Sequence, residues 1–189
     1  MRPMGRLRDG LIALTALLPP QTVMAEIGSY AGESAEIFLE SGRVATIYCV
    51  DRWEDYRYGD GSEKLNASLA EAAFDRRMSF YGGMYSKLKM DSARAAQTVS
   101  NHSLDFVYID GGHSYSDVRD DIRAWLPKIK RNGAIGGHDY VLCELPHYAV
   151  KAAVDDIFGA PDETFEDDSW LVWAESVSPH IWGMVGVEG

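Results

Sequence analysis

Short apolar runs of strand length alternate along this chain with stretches of helical periodicity. That alternation marks a parallel sheet flanked by helices. Thr22 to Ile27 reads as the first strand, and a helix follows from about Glu33, with Ala35, Phe38 and Leu39 on one face and Gly42 as its terminator. Thr46 to Val50 forms a second strand closed by Asp51, and an aromatic, glycine-bearing loop runs from Trp53 to Gly61. Ser62 to about Ser79 is helical, Lys87 to Met90 a short strand, Ala93 to Val99 a short helix, and Leu104 to Ile109 the clearest strand. Ser114 and Asp117 make a capping box for a helix whose buried face is Val118, Ile122, Trp125, Leu126 and Ile129. Asn132-Gly133 then turns the chain into a strand over Ala134 to Gly137. Ala149 to Phe158 is helical, and Thr164 to Glu166 and Leu171 to Ala174 are two last strands, the second edge-like.

With 189 residues and no dividing linker, the expectation is one domain over 1–189, with a core over 22–175 and a leading helix over 1–21. Arg2, Arg6 and Arg8 before Leu11 to Leu18 superficially resemble a secretory leader. The run is short, Asp9 interrupts its approach, and Pro19-Pro20 leads straight into the first strand, so the reading is an amphipathic helix. No segment reaches the ~18 apolar residues of a membrane span. Cys49 and Cys143 form no C-x-x-C pattern, which makes a reducing, cytoplasmic compartment the simplest. The balance of 18 basic against 29 acidic residues, a net charge of −11, argues against a nucleic-acid partner, which needs a basic face.

Two constellations carry the chemistry. The first is Glu26-Ile-Gly28-Ser-Tyr30-Ala-Gly32-Glu-Ser34, a strand ending in Gly-x-x-x-Gly ahead of a helix, where backbone can approach a ligand closely. A dinucleotide site has a different spacing and places a pyrophosphate at this turn, where the Glu26 carboxylate would repel it. Glu26 suits a ligand with positive charge, such as an ammonium beside a sulfonium. Asp51, 23 positions after Gly28, can accept both hydroxyls of a ribose. Trp53 offers an aromatic wall to an adenine, and Asp91-Ser92 can bond its edge; Tyr30 and Ser34 complete the candidate cofactor contacts. Each residue also has a plain structural reading, as turn, cap or packing.

The second constellation is Asp110-Gly-Gly-His113-Ser-Tyr with, one helix later, Gly137-His138-Asp139-Tyr140. Both follow strands that a parallel sheet ends at one edge, so Asp110, His138 and Asp139 can converge, with His113 close by. Two carboxylates with water and a substrate oxygen suit magnesium or manganese. His102 reads as a solvated turn residue beside Asn101, His147 and His180 have no partner at recognisable spacing, and the Asp120-Asp121 and Asp167-Asp168 pairs read as solvated faces. Tyr56, Tyr58, Tyr81 and Tyr85 fall in loops, as a substrate lid or as packing.

In this order the motifs resemble those of class I S-adenosylmethionine-dependent methyltransferases, and among them the macrocin- and catechol-type small-molecule O-methyltransferases. The resemblance spans about residues 22 to 175. It implies a Rossmann-like three-layer αβα sandwich, with a mostly parallel seven-stranded sheet and one antiparallel strand near the C-terminus. It further implies S-adenosylmethionine as cofactor with Asp110 among its contacts, a metal ligand at Asp110 with others at His138 and Asp139, and a general base at His113, where catechol-type members carry a lysine. His138 departs from the family, whose metal-dependent members often carry a carboxylate there. The acceptor expected is a small-molecule hydroxyl, in a pocket that is small or is completed by a second subunit of a homo-oligomer. Two other readings compete: a nicotinamide-dependent oxidoreductase, disfavoured by Glu26 and the glycine spacing, and a non-catalytic Rossmann-like binding module.

Overall fold

The structure is a computed structural model that describes residues 4–55, 66–141 and 148–186. Tyr56, Tyr58, Cys143, His147 and the expected helix start at Ser62 lie outside them. Seven strands, β1 (Thr22–Ile27), β2 (Val44–Asp51), β3 (Tyr85–Lys89), β4 (Leu104–Ile109), β5 (Ile129–Gly137), β6 (Glu163–Thr164) and β7 (Trp170–Trp173), form one sheet in the order β3-β2-β1-β4-β5-β7-β6. The first five are mutually parallel, and β7 runs antiparallel to both β5 and β6. One strand near the C-terminus is therefore reversed, as the resemblance implied.

The helices are α1 (Met4–Leu17), α2 (Glu33–Glu40), α3 (Ala67–Met78), α4 (Ser92–Thr98), α5 (Tyr115–Trp125), α6 (Val150–Phe158) and α7 (Pro179–Met184). Side chains alternate across the sheet along each strand. Met24, Ile47, Phe106, Tyr108 and Leu171 pack with Leu11, Leu14, Phe38, Phe74 and Met78 from α1, α2 and α3. Ala25, Ile27, Val107, Ile109 and Ile135 pack on the other face with Ala95, Val118, Ile122, Trp125, Val154 and Ile181 from α4 to α7. Two separate apolar layers on one sheet make the three-layer sandwich. No helix among the described residues is long and apolar enough to cross a membrane.

Several boundaries differ from expectation, each for a local reason. Helix α5 ends at Trp125; Leu126 opens a 3-10 turn with Pro127, and Ile129 already belongs to β5. Asn132-Gly133 does not turn the chain. It lies within β5, where the register slips between the pairs Leu104–Ile129 and Phe106–Ala134. Gly133 is required at that irregularity because a Cβ would lie 2.6 Å from the Asp105 carbonyl oxygen. Strand β3 begins at Tyr85, two residues ahead of the expected start, and β7 is an interior strand with Trp170, Leu171 and Val172 buried, while β6 forms the edge.

Phe106 ties the α2 layer to the sheet, its ring 6.4 Å from Phe38 edge-to-face and 6.2 Å from Tyr108. Phe106→Ala should cost about 3–5 kcal/mol of stability, read as a lowered urea midpoint with an unchanged slope.

Candidate functional site

The carboxyl ends of β1, β2, β4 and β5 meet at one edge, and their tips are joined by main-chain bonds. Gly28 donates to the Val50 carbonyl at 2.8 Å, Asp110 to Ile27 at 2.8 Å, and His138 to Ile109 at 3.0 Å. Gly28 has φ 91°, and a Cβ there would collide with the Asp110 carbonyl. Gly32, at φ 78°, precedes α2 with the Phe74 ring 3.0 Å from where its Cβ would stand. Both glycines thus have backbone and packing reasons beside any ligand.

Asp51 organises the tip of β2. Its Oδ2 accepts from Tyr30 N at 2.9 Å and its Oδ1 from Trp53 N at 2.7 Å, while Trp53 Nε1 donates to the Tyr30 carbonyl at 2.8 Å. This ring of bonds holds two bulky residues at positive φ, Tyr30 at 42° and Trp53 at 46°, a conformation that costs energy and collects at functional sites. Each carboxylate oxygen keeps a further lone pair for a hydroxyl. Trp53 is only 6% exposed and packs on Phe74, with Lys87 Nζ 4.7 Å from its ring centre. Among the described residues Tyr30, 48% exposed, is an aromatic that stands open at this edge.

Glu26 is fully buried on the α2 side and accepts a hydrogen bond from Ser34. Among the described residues its Oε2 has no hydrogen bond of good geometry, and the buried Ser29 hydroxyl stands near enough to the carboxylate to favour its charge. Burial raises the Glu26 carboxyl to about 7, opposed by Ser29 and Ser34 and reinforced by Asp110 and Asp51. An orphaned acidic oxygen in such a position fits a cationic ligand group. Asp91 caps α4 by accepting from Ala93 N at 3.0 Å, and Ser92 sits half-buried beside it.

The strongest convergence is Asp110, His113 and Asp139, which each present a ligand atom within 4.8 Å of the others. His113 Nε2 lies 3.0 Å from Asp139 Oδ2 and 4.0 Å from Asp110 Oδ1, and its ring stacks on Tyr148 at 4.9 Å. Burial, the largest single influence, pulls the His113 pKa down. Hydrogen bonds and charge from Asp110 and Asp139 together outweigh it and hold the imidazole at about 9. Burial likewise pushes the Asp139 carboxyl up, but bonds from His113 and His138 hold it far below the ordinary range. His138, expected beside Asp110 as a ligand, is not among the three. Its buried ring sits behind Asp139, with Nδ1 2.8 Å from Asp139 Oδ1 and Nε2 4.0 Å from Asp167 Oδ2.

Two aspartates expected on solvated faces are interior. Asp167 is 6% exposed and accepts from Ser169 Oγ at 2.9 Å; Ser169 in turn pairs with the Tyr108 hydroxyl. Asp121 lies half-buried and accepts from Ser92 Oγ at 2.5 Å. Neither has a local sequence signal, since both sit in acidic doublets of the sort usual on surfaces. Tyr148, stacked on His113, was also not singled out, because nothing in its neighbours marks it.

A model of the methyltransferase domain family matches residues 25–140. Over 136 residues the chain is 27% identical to an uncharacterized protein of Sinorhizobium fredii, which takes in 69% of this chain and only 14% of that protein's length. A Corynebacterium glutamicum protein of solved structure superposes with a TM-score of 0.56 at 17% identity, covering 83% of this chain and 72% of that one. Spermidine synthase from Thermotoga maritima gives 0.56 at 14% identity, covering 92% and 62%. A geranyl diphosphate methyltransferase in complex with SAM gives 0.51 at 11% identity, covering 69% and 46%.

The buried Glu26 makes a prediction without any ligand. Its folded pKa of about 7 stands above the ordinary 4.5, so the native state holds a proton the unfolded chain releases, and stability from this group is lost as pH rises from 4.5 through 7. Glu26→Gln cannot ionise. Its melting temperature relative to the unmodified protein should climb between pH 5 and pH 8, and a constant difference would contradict the burial argument.

Proposed function

The chain belongs to the methyltransferase domain family, in the class I S-adenosylmethionine-dependent group, and on that premise we propose that it methylates a hydroxyl of a small molecule with S-adenosylmethionine as donor. The observation that carries this reading is the placement of the Asp110–His113–Asp139 cluster at the same sheet edge as Glu26 and Asp51. An imidazole and a row of acidic residues thus stand at one edge of the sheet. The fold by itself is shared with an aminopropyl-transferring synthase, so the family match, and not the sheet, favours methyl transfer.

The residues present fit the donor. Glu26 Oε2 would accept from its ammonium, Asp51 from the ribose hydroxyls through its unused lone pairs, and Asp91 and Ser92 at the start of α4 would meet the base. Bound there, the donor supplies an electrophilic sulfonium methyl, which leaves as the sulfur becomes a thioether. The protein's task is to align the acceptor oxygen and remove its proton. His113 would take that proton once its ring is neutral and Nε2 is released from Asp139, 3.0 Å away. Held at about 9 by its two carboxylates, the ring already carries a proton at neutral pH. Anything that draws charge from Asp110 or Asp139 therefore frees the base.

A divalent cation is the alternative use of the same three residues: Asp110 and Asp139 would give oxygen ligands and His113 a nitrogen that would then no longer serve as the base, a mixed set better suited to manganese than to magnesium. It would supply a Lewis acid that acidifies the hydroxyl. His138 would act on it through Asp139.

Asp51→Ala should weaken binding of S-adenosylhomocysteine about tenfold or more in calorimetry, and unchanged affinity would place the ribose elsewhere. The methyl-transfer rate should rise with pH through about 9, and His113→Gln should flatten that limb while leaving nucleoside affinity intact. Full activity in excess chelator, with no gain from added manganese, would leave Asp110 and Asp139 as polar positioning groups.

A further inference from the structure

The turn between β1 and α2 is held in a costly shape. Between Gly28 and Gly32 the chain passes through positive φ at Tyr30, 42°, a region a bulky residue leaves unless its surroundings hold it there. A peptide group is planar, so fixing its carbonyl also fixes the N–H on its far side. The Tyr30 carbonyl accepts from Trp53 Nε1 at 2.8 Å, and the Ala31 carbonyl accepts from Arg77 Nη1. Gly32 N, in the same peptide as the Ala31 carbonyl, donates to the Ser29 carbonyl at 2.7 Å. The Ala31–Gly32 peptide is therefore gripped from both sides, and Arg77 is one of the two grips.

Arg77 reaches the turn from α3 with a guanidinium engaged at every nitrogen. Nε donates to Glu36 Oε2 at 2.9 Å, Nη2 lies 3.6 Å from Glu33 Oε1, and Nη1 takes the Ala31 carbonyl. Both glutamates stand in the first turn of α2. A planar fork thus bridges turn and helix in one fixed geometry, which the point charge of a lysine ammonium cannot copy. The Arg77 side chain is 23% exposed, so solvent screens these contacts only in part. α3 itself is seated against the residues that follow β2 at two further points. Ala67 N donates to Asp55 Oδ1 at 3.1 Å, and the Phe74 ring packs 4.9 Å from that of Trp53. The fork therefore rides on a helix anchored beside the same strand tip.

We propose that Arg77 is a positioning residue for the donor site: by holding the Ala31 carbonyl, it keeps the 28–32 turn in its binding shape before any ligand arrives. This rests on the proposed use of S-adenosylmethionine as donor. Without the grip, the Ala31–Gly32 peptide can rotate and Tyr30 can leave positive φ. Tyr30 N then withdraws from Asp51 Oδ2, 2.9 Å away, and the carboxylate assigned to the ribose loses its alignment. A ligand must then order the turn as it binds, and that ordering is subtracted from its affinity.

The test pairs calorimetry with amide hydrogen exchange, using S-adenosylhomocysteine on the unmodified protein, Arg77→Lys and Arg77→Ala. Both variants should bind about tenfold more weakly. In the unliganded variants the amides of Tyr30 and Gly32 should exchange about tenfold faster, while those within β1 and β4 keep their protection. Saturating S-adenosylhomocysteine should restore the protection of the turn. Arg77→Lys keeps the charge, so it reads the fork alone and serves if the alanine variant fails to fold. Affinity kept within about twofold by either folded variant overturns the inference. So does faster exchange spread through β1 and β4, or failure of both variants to fold, since each marks a merely structural role. Absence of binding by the unmodified protein overturns instead the cofactor reading beneath it, and the two failures are thereby distinct.

Discussion

The whole site depends on how closely the tips of two neighbouring parallel strands can approach. At the end of β1, Gly28 turns with a left-handed φ, and the Asp110 carbonyl at the end of β4 fills the space where a side chain would be. That approach puts Glu26 within electrostatic reach of Asp110, which disfavours the charge on the buried Glu26 carboxyl. A parallel sheet brings the ends of its strands to one edge by construction. It does not by itself bring them into contact. The missing Cβ does that, and a bulkier residue at 28 would push the two acidic centres apart even with the sheet intact.

Much of the scaffold was legible in the chain, because the strands that matter most are the most apolar. β1 and β4 were read at their observed limits, since a strand covered on both faces is a nearly unbroken apolar run with sharp polar ends. The errors fall where the local signal and the tertiary pairing disagree. Asn132-Gly133 has the composition of a turn, yet it forms an irregularity within β5 because Ile129 is already paired with Leu104. β7 looked like an edge; β6, read as Thr164 to Glu166, forms one residue earlier as Glu163–Thr164, pairs with β7 and takes the edge position itself.

The candidate site was legible by residue and less so by role. Asp110, His113 and Asp139 were all marked by their motifs, and the structure brings them together. His138 and Asp139 are adjacent in sequence and both lie just past the end of β5, so the motif alone could not say which of them would meet His113. Asp139, at φ 65°, turns towards His113, while His138 points inward to Asp167. Asp121 and Asp167 escaped notice because burial is a property of the packed molecule, and an acidic pair looks the same in sequence whether wet or dry.

The hairpin of β6 and β7 does more than finish the sheet. Its turn supplies Asp167 to the back of His138, and Tyr140 N, just beyond Asp139, bonds the Asp168 carbonyl at 2.9 Å. The loop bearing Asp139 is thus buttressed by a hairpin that comes much later in the chain. The approach of Asp139 to His113 depends on that hairpin being seated against β5, so loosening β7 would disturb the cluster while leaving the tips of β1 and β4 in contact.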